Sequence, residues 1–136
     1  MNKKRWLQRA YFINQEINTL IEEKQAAFAR ACSITVPTDK EHFSSSGDNS
    51  TEKKFIRYTE YEIMIDKRID KLLKIKKQIL NAINDINTEK LRILLVKRYL
   101  QFKTWERIAI EMNYDVRQIY RLHQQALKEI KTKKRD

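Results

Sequence analysis

Apolar positions recur every three or four residues through the first part of the chain. Trp6, Ala10, Ile13, Ile17, Leu20, Ala27 and Ala31 form one stripe, interrupted by Lys24, and Leu7, Ile21 and Phe28 widen it. This is the period of an α-helix with one buried side, and it predicts a helix over residues 1–32. A second stripe runs through Tyr58, Tyr61, Ile65, Ile69, Leu72, Ile75, Ile79, Ile83 and Ile86. It predicts one helix over 52–87, about 50 Å long at 1.5 Å per residue, with Asn49 and Glu52 spaced as a capping box at its start. Between the two lies SITVPTDKEHFSSSGDNST, residues 33–51, rich in Ser and Thr and poor in aliphatic side chains. It reads as an exposed, flexible linker. Two long amphipathic helices across a linker suit an antiparallel hairpin within one chain or a coiled-coil dimer.

The pattern changes over residues 88–136. Thr88 is placed to cap a helix reaching about Phe102, and Thr104 to cap a short helix, Trp105–Met112. Asp115, with Gln118 completing a capping box, starts a third helix that reaches about Lys131. Residues 105–124, WERIAIEMNYDVRQIYRLHQ, meet the demands of a helix-turn-helix. Ala109 is small where two helices would cross closely. Four positions on, Asn113 stands where the turn needs a residue that tolerates positive φ. Ile108, Met112, Tyr114, Ile119 and Leu122 fall where the motif needs its core.

At 100° per residue, Ile119, Leu122, Ala126 and Ile130 cluster on one side of the last helix. Opposite them stand Arg117, Arg121, Gln124 and Lys128, flanked by Tyr120 and Gln125, with Gln118 in the first turn. Arginine and glutamine can pair bidentately with guanine and adenine edges in a major groove, and lysine suits phosphate. The face holds no carboxylate, which favours a nucleic-acid surface over an ordinary solvated face. The expected base-reading set is Arg117, Gln118, Tyr120, Arg121 and Gln124. The expected phosphate set is Lys103, Thr104, Arg107 and Lys128.

Composition narrows the class further. The 136 residues include one glycine and one proline. Glycine-rich phosphate loops, dinucleotide fingerprints and turn-dense β folds are thereby excluded. The architecture expected is all-α: two long amphipathic helices, then a C-terminal three-helix domain with a helix-turn-helix. The net charge is +11. Residues 88–136 carry thirteen basic and six acidic side chains, a net +7, so the excess concentrates beside the motif, as a polyanionic partner requires. A single cysteine, Cys32, allows no internal disulfide and fits a reducing cytoplasm. No apolar run is long enough for a membrane span, and no signal-peptide core follows Lys3, Lys4 and Arg5.

Leu91–Ile130 also resembles region four of bacterial sigma factors. There a leucine- and arginine-rich helix precedes a Thr-capped helix carrying Ile-Ala, a turn, and a recognition helix ending in Ala-Leu. Thr104, Ile108, Ala109, Asn113, Asp115, Ile119, Ala126 and Leu127 match that pattern, with Asn113 in place of the usual glycine and Asp115 in place of the usual serine. The whole chain resembles a narrower group, phage-encoded regulators of the ArpU/RinA type. TEYEIMIDKRIDKLLKIKKQI and RYLQFKTWERIAIEMNY carry the likeness. The resemblance implies a sequence-specific activator of late phage genes in the bacterial cytoplasm. Its partners would be double-stranded DNA and host RNA polymerase, with self-association through the long helices and no membrane. The competing classes are a helical protein-interaction module and a packaging-associated, small-terminase-like DNA binder.

Other features take plainer readings. Glu62, Asp66 and Asp70 lie at i, i+4 and i+8, but lysines and an arginine surround them and no histidine lies near, so ion pairs are expected rather than a metal site. His123 is expected to pack under its helix, Trp105 to anchor the motif, Cys32 to be a small packed thiol, and His42 to have no ligand role. Lys3, Lys4 and Arg5 suit a DNA or membrane-surface arm, or simply a solubilising end. With two separated histidines and no nucleophile–base spacing, neither catalysis nor a cofactor is expected.

Overall fold

The computed structural model describes residues 2–33 and 45–132, and among them all regular structure is helical, with no strand. In order come α1 (Lys3–Leu7), α2 (Arg9–Ser33), α3 (Ser45–Asn84), α4 (Glu89–Leu95), a π-helical turn (Val96–Leu100), α5 (Trp105–Met112) and α6 (Val116–Glu129). The all-α expectation holds. Pro37, His42 and most of the expected linker lie outside the described residues, as does the tail after Thr132.

Several boundaries differ from the sequence reading. The first helix is broken at Gln8, so Trp6 and Leu7 sit on a short α1 capped by Asn2, whose side chain accepts from the Arg5 N–H at 2.8 Å. Helix α3 starts at Ser45, so Gly47, Asn49 and Glu52 lie within it, and the Asn49–Glu52 pair does not cap it. The helix after Thr88 is α-helical only to Leu95 and then widens into the π turn. Thr88 has extended backbone there but makes no side-chain cap bond.

The chain divides into two compact units: Gln15–Asp70, and Met1–Asn14 with Lys71–Asp136. In the first of these, α2 and α3 pair in reverse order. Glu16 meets Arg68 at 3.0 Å, Lys24 meets Glu62 at 3.8 Å, and Phe28 meets Tyr58 with ring centroids 5.2 Å apart. Within this unit the helices therefore form an antiparallel hairpin inside one chain. Lys24, the polar break in the stripe, also lies over the Tyr58 ring at 5.5 Å. Its apolar stem extends the seam while its ammonium meets a carboxylate. Ile17, Ala27, Ala31 and Ile65 are buried here, whereas Ile63 is 52% exposed. Cys32, expected to pack, is exposed.

The second unit has the deeper core. Leu7, Ile79, Ile83, Leu91, Leu94, Leu95, Ile108, Ile119 and Ile130 are all fully buried. They come from α1, α3, α4, α5 and α6, so the N-terminal turn and the last turns of α3 close over the same core as the helix-turn-helix. Arg9 fastens this junction. Its guanidinium lies 4.6 Å over the Trp6 ring, donates to the Trp6 carbonyl at 2.9 Å and reaches the Gln78 side chain at 3.0 Å. Arg92 donates to the Ile86 carbonyl at 2.6 Å and pins α4 to the end of α3.

Burial sets the expected response to truncation. Ile83→Ala leaves a cavity in a 0% exposed site and should cost about 2–5 kcal/mol. Ile63→Ala, on the same helix at a half-exposed site, should stay within about 0.5 kcal/mol. Urea unfolding midpoints for the two variants check this, and equal losses would overturn the burial assignment.

Candidate nucleic-acid interface

The turn between α5 and α6 is built from local chemistry. Thr104 has extended backbone and its hydroxyl accepts from the Arg107 N–H at 3.2 Å, satisfying one donor of the α5 N-terminus. At the other end Asn113 adopts the left-handed conformation, φ 58° and ψ 43°. The Asn113 N–H bonds to the Ile110 carbonyl at 3.3 Å and the Tyr114 N–H to the Ala109 carbonyl at 3.0 Å. This pair of bonds is a Schellman closure, made by asparagine rather than the usual glycine. Asp115 and Gln118 then form the expected capping box, the Asp115 N–H donating to Gln118 Oε1 at 3.3 Å. Ile108, Ala109, Ile119, Leu122 and Ala126 are buried between the helices. Met112 and Tyr114, expected in that core, are only half-buried.

The side chains expected on the outer face of α6 all face solvent. Arg117, Gln118, Tyr120, Arg121, Gln124 and Lys128 are all exposed. Tyr120 is partly committed, its ring meeting Trp105 edge-on at 5.7 Å. Trp105 is half-buried and serves as the anchor. The Arg98 guanidinium lies 4.3 Å over its ring, and the His123 ring meets it at 4.6 Å.

Two members of the expected phosphate set, Lys103 and Arg107, have an internal partner in Glu111. Lys103 is half-buried and gives its ammonium to both carboxylate oxygens of Glu111, at 2.8 and 2.9 Å. Lys97 donates to the same carboxylate at 2.7 Å, and the Arg107 Nε donates to it at 3.0 Å. Three cations thus converge on one acid, and the Lys103 ammonium first, then that of Lys97, hold the Glu111 carboxyl down at about 2. Lys103 is therefore a bracket between the π turn and α5. Arg107 remains mostly exposed, and Thr104 and Lys128 are exposed. Of this cluster, the Arg107–Glu111 spacing of four was visible in the sequence, but Lys97 and Lys103 reach Glu111 only through the fold.

Neither the π turn nor Phe102, two residues past its end, is predicted by the sequence. Three consecutive residues, Lys97, Arg98 and Tyr99, all engage α5 or α6. Phe102 then takes a positive φ of 60°, an uncommon conformation for an aromatic residue. The Lys103 N–H bonded to the Lys97 carbonyl at 3.0 Å, the Arg98 guanidinium on the Lys103 carbonyl at 2.9 Å, and Lys76 over the Phe102 ring at 4.9 Å hold it there.

His123 packs under α6 as expected, 4% exposed, its Nε2 2.7 Å from the Tyr99 hydroxyl. Burial, reinforced by the charges of Lys4 and Arg98, lowers its pKa to about 4. Burial likewise raises Tyr99 to about 12, against a smaller opposing pull from Arg98.

No family model, curated protein or solved structure matches the chain.

The His123 shift fixes a direction for stability against pH. Its ordinary value is 6.5, and the folded value is lower. Above 6.5 both states are neutral and its contribution is complete. As pH falls from 6.5 towards 4 the unfolded chain takes the proton and stability drops, by roughly 3 kcal/mol in all. Unfolding midpoints measured from pH 7 to 4 should fall, and His123→Gln should flatten that window. Glu111 acts lower, between its ordinary 4.5 and about 2, where protonation loosens the three cations. An unchanged slope in His123→Gln would show that another group titrates there.

Proposed function

We propose that this chain is a sequence-specific, double-stranded DNA-binding regulator of helix-turn-helix type. The observation that carries the reading is the outer face of α6, where Arg117, Gln118, Tyr120, Arg121, Gln124 and Lys128 are exposed together. That face has no carboxylate and is carried on a helix seated by the Asn113 turn and the Asp115 cap. In this reading α6 enters a major groove, with Arg117, Gln118, Arg121 and Gln124 toward base edges and Tyr120 beside them. Lys103, Thr104, Arg107 and Lys128 are the phosphate contacts in this reading, with Lys103 and Arg107 shared with Glu111.

The regulatory role, activation of late genes in a phage-infected bacterial cytoplasm with host RNA polymerase as a second partner, rests on the sequence resemblance. The intrachain pairing of α2 and α3 supports a monomeric reader more than a coiled-coil dimer. Self-association through those helices is tested by a light-scattering mass.

Selection from a random duplex pool, followed by titration across a salt series, tests the DNA reading. A preferred site should bind at least about 10³-fold tighter than random duplex. Arg121→Ala should cost about 1–3 kcal/mol and relax preference at one base pair. Equal loss on every sequence would make Arg121 a phosphate contact. Absence of binding at about 50 mM salt would overturn the reading and leave a protein-interaction module. A reporter carrying the selected site separates regulation from packaging, since a packaging protein leaves its expression unchanged.

A further inference from the structure

We infer that α1 is a second DNA-contacting element, which clamps the phosphate backbone beside the C-terminal end of α6. This rests on the DNA reading above and extends it to residues at the opposite end of the chain. The Lys3 ammonium donates to the Lys128 carbonyl at 3.3 Å, joining residues 125 positions apart. That carbonyl belongs to the last turn of α6, where a cation also meets the negative end of the helix dipole. The Lys4 charge adds to the burial that lowers the His123 pKa on that helix. Trp6, 6% exposed, and Leu7, fully buried, fix α1 against the core that carries α6. The Arg9 contacts to Trp6 and Gln78 hold its far end. α1 is thus seated on the reader unit rather than being a loose solubilising end.

The charge pattern matches that placement. Residues 2–7 and 116–132 contain seven Lys or Arg side chains and one carboxylate, Glu129. Lys4, Arg5, Lys128 and Lys131 are exposed. A helix of fourteen residues is about 21 Å long, so its far end leaves the groove near the bordering strand of phosphates. A cluster of flexible cations there suits a sequence-independent backbone contact, in the way the C-terminal end of some recognition helices is used.

The test is the double variant Lys4→Gln with Arg5→Gln, which leaves Lys3 and the buried anchor intact. Circular dichroism should be unchanged, because both side chains are exposed. The slope of log Kobs against log salt should fall by about 2 on preferred and random duplex alike, at roughly 0.9 per lost phosphate contact. The ratio of preferred to random binding should not change. The swap Lys4→Arg with Arg5→Lys should retain the wild-type slope. A double-Gln variant with the wild-type slope overturns the clamp while leaving the α6 reading standing, and a changed sequence ratio overturns it too. Wild-type protein that binds no duplex removes both.

Discussion

A buried imidazole ties α6 to the π turn and to α5. α6 carries its arginines and lysine on one face, and on the other its one buried polar side chain is His123. The Lys4 and Arg98 charges act on that ring, so a proton on it would face like charge as well as lost hydration. The neutral ring instead pairs with the Tyr99 hydroxyl and packs against Trp105. Those contacts draw the π turn and the first residue of α5 onto the inner side of α6. Trp105 in turn lies beneath Arg98 and edge-on to Tyr120. The inner polar pair thereby orients one member of the outer face, so packing and the proposed reading surface are not separable at this point.

What was legible in the sequence is what local chemistry decides. The Thr104 cap, the left-handed Asn113 and the Asp115–Gln118 box each depend on residues within four positions of one another, and each forms as expected. The apolar face of α6 was equally legible, because the period alone separates Ile119 and Leu122 from Arg117 and Arg121. What was not legible depends on contacts made at a distance. The break at Gln8 has no glycine or proline to announce it, and α1 is held by Trp6, Arg9 and Gln78 acting together. The π turn is similarly silent in sequence, since Val96–Leu100 has ordinary helical composition. Its widening goes with the contacts of Lys97, Arg98 and Tyr99 to Glu111, Trp105 and His123. Phe102 shows the same rule from the other side. Its side chain gives no reason for positive φ, and its backbone conformation belongs to the hydrogen bonds of Arg98 and Lys103 around it.

The total charge of residues 88–136 overstates how many of its cations are available to a partner. A net +7 over residues 88–136 suggests that every lysine near the motif is available to a polyanion. Glu111 removes much of that availability, because it engages Lys97, Lys103 and Arg107 at 3.0 Å or less. Among the described residues of α1 and α6, Lys4, Arg5, Arg117, Arg121 and Lys128 are exposed, and Glu129 is the one carboxylate on those two helices. The field presented to a partner is therefore set by where carboxylates stand as much as by how many lysines there are. A phosphate approaching Arg107 must compete with an internal acid, whereas one approaching Arg117 or Arg121 meets no carboxylate on that face.

The stripe along α3 carries the same lesson in apolar form. Its period is unbroken from Tyr58 to Ile86, yet burial along it is not uniform. Leu72, Ile75, Ile79, Ile83 and, just past the end of α3, Ile86 are 8% exposed or less, as is Ile65 in the hairpin unit, while Ile69 is 37% exposed and Tyr58 and Tyr61 are half-buried. Periodicity reports which side of a helix is apolar; it does not report how much partner surface covers that side. In the hairpin unit the cover is a single antiparallel helix, α2, whose facing residues include small alanines, Ala27 and Ala31. In the other unit α1, α4, α5 and α6 all contribute to the core. Buried apolar area scales with stabilisation, so the two units draw unequal stability from one continuous stripe. Amide exchange in α3 should on that ground be faster before Asp70 than after Lys71, although the sequence repeats the same pattern through both.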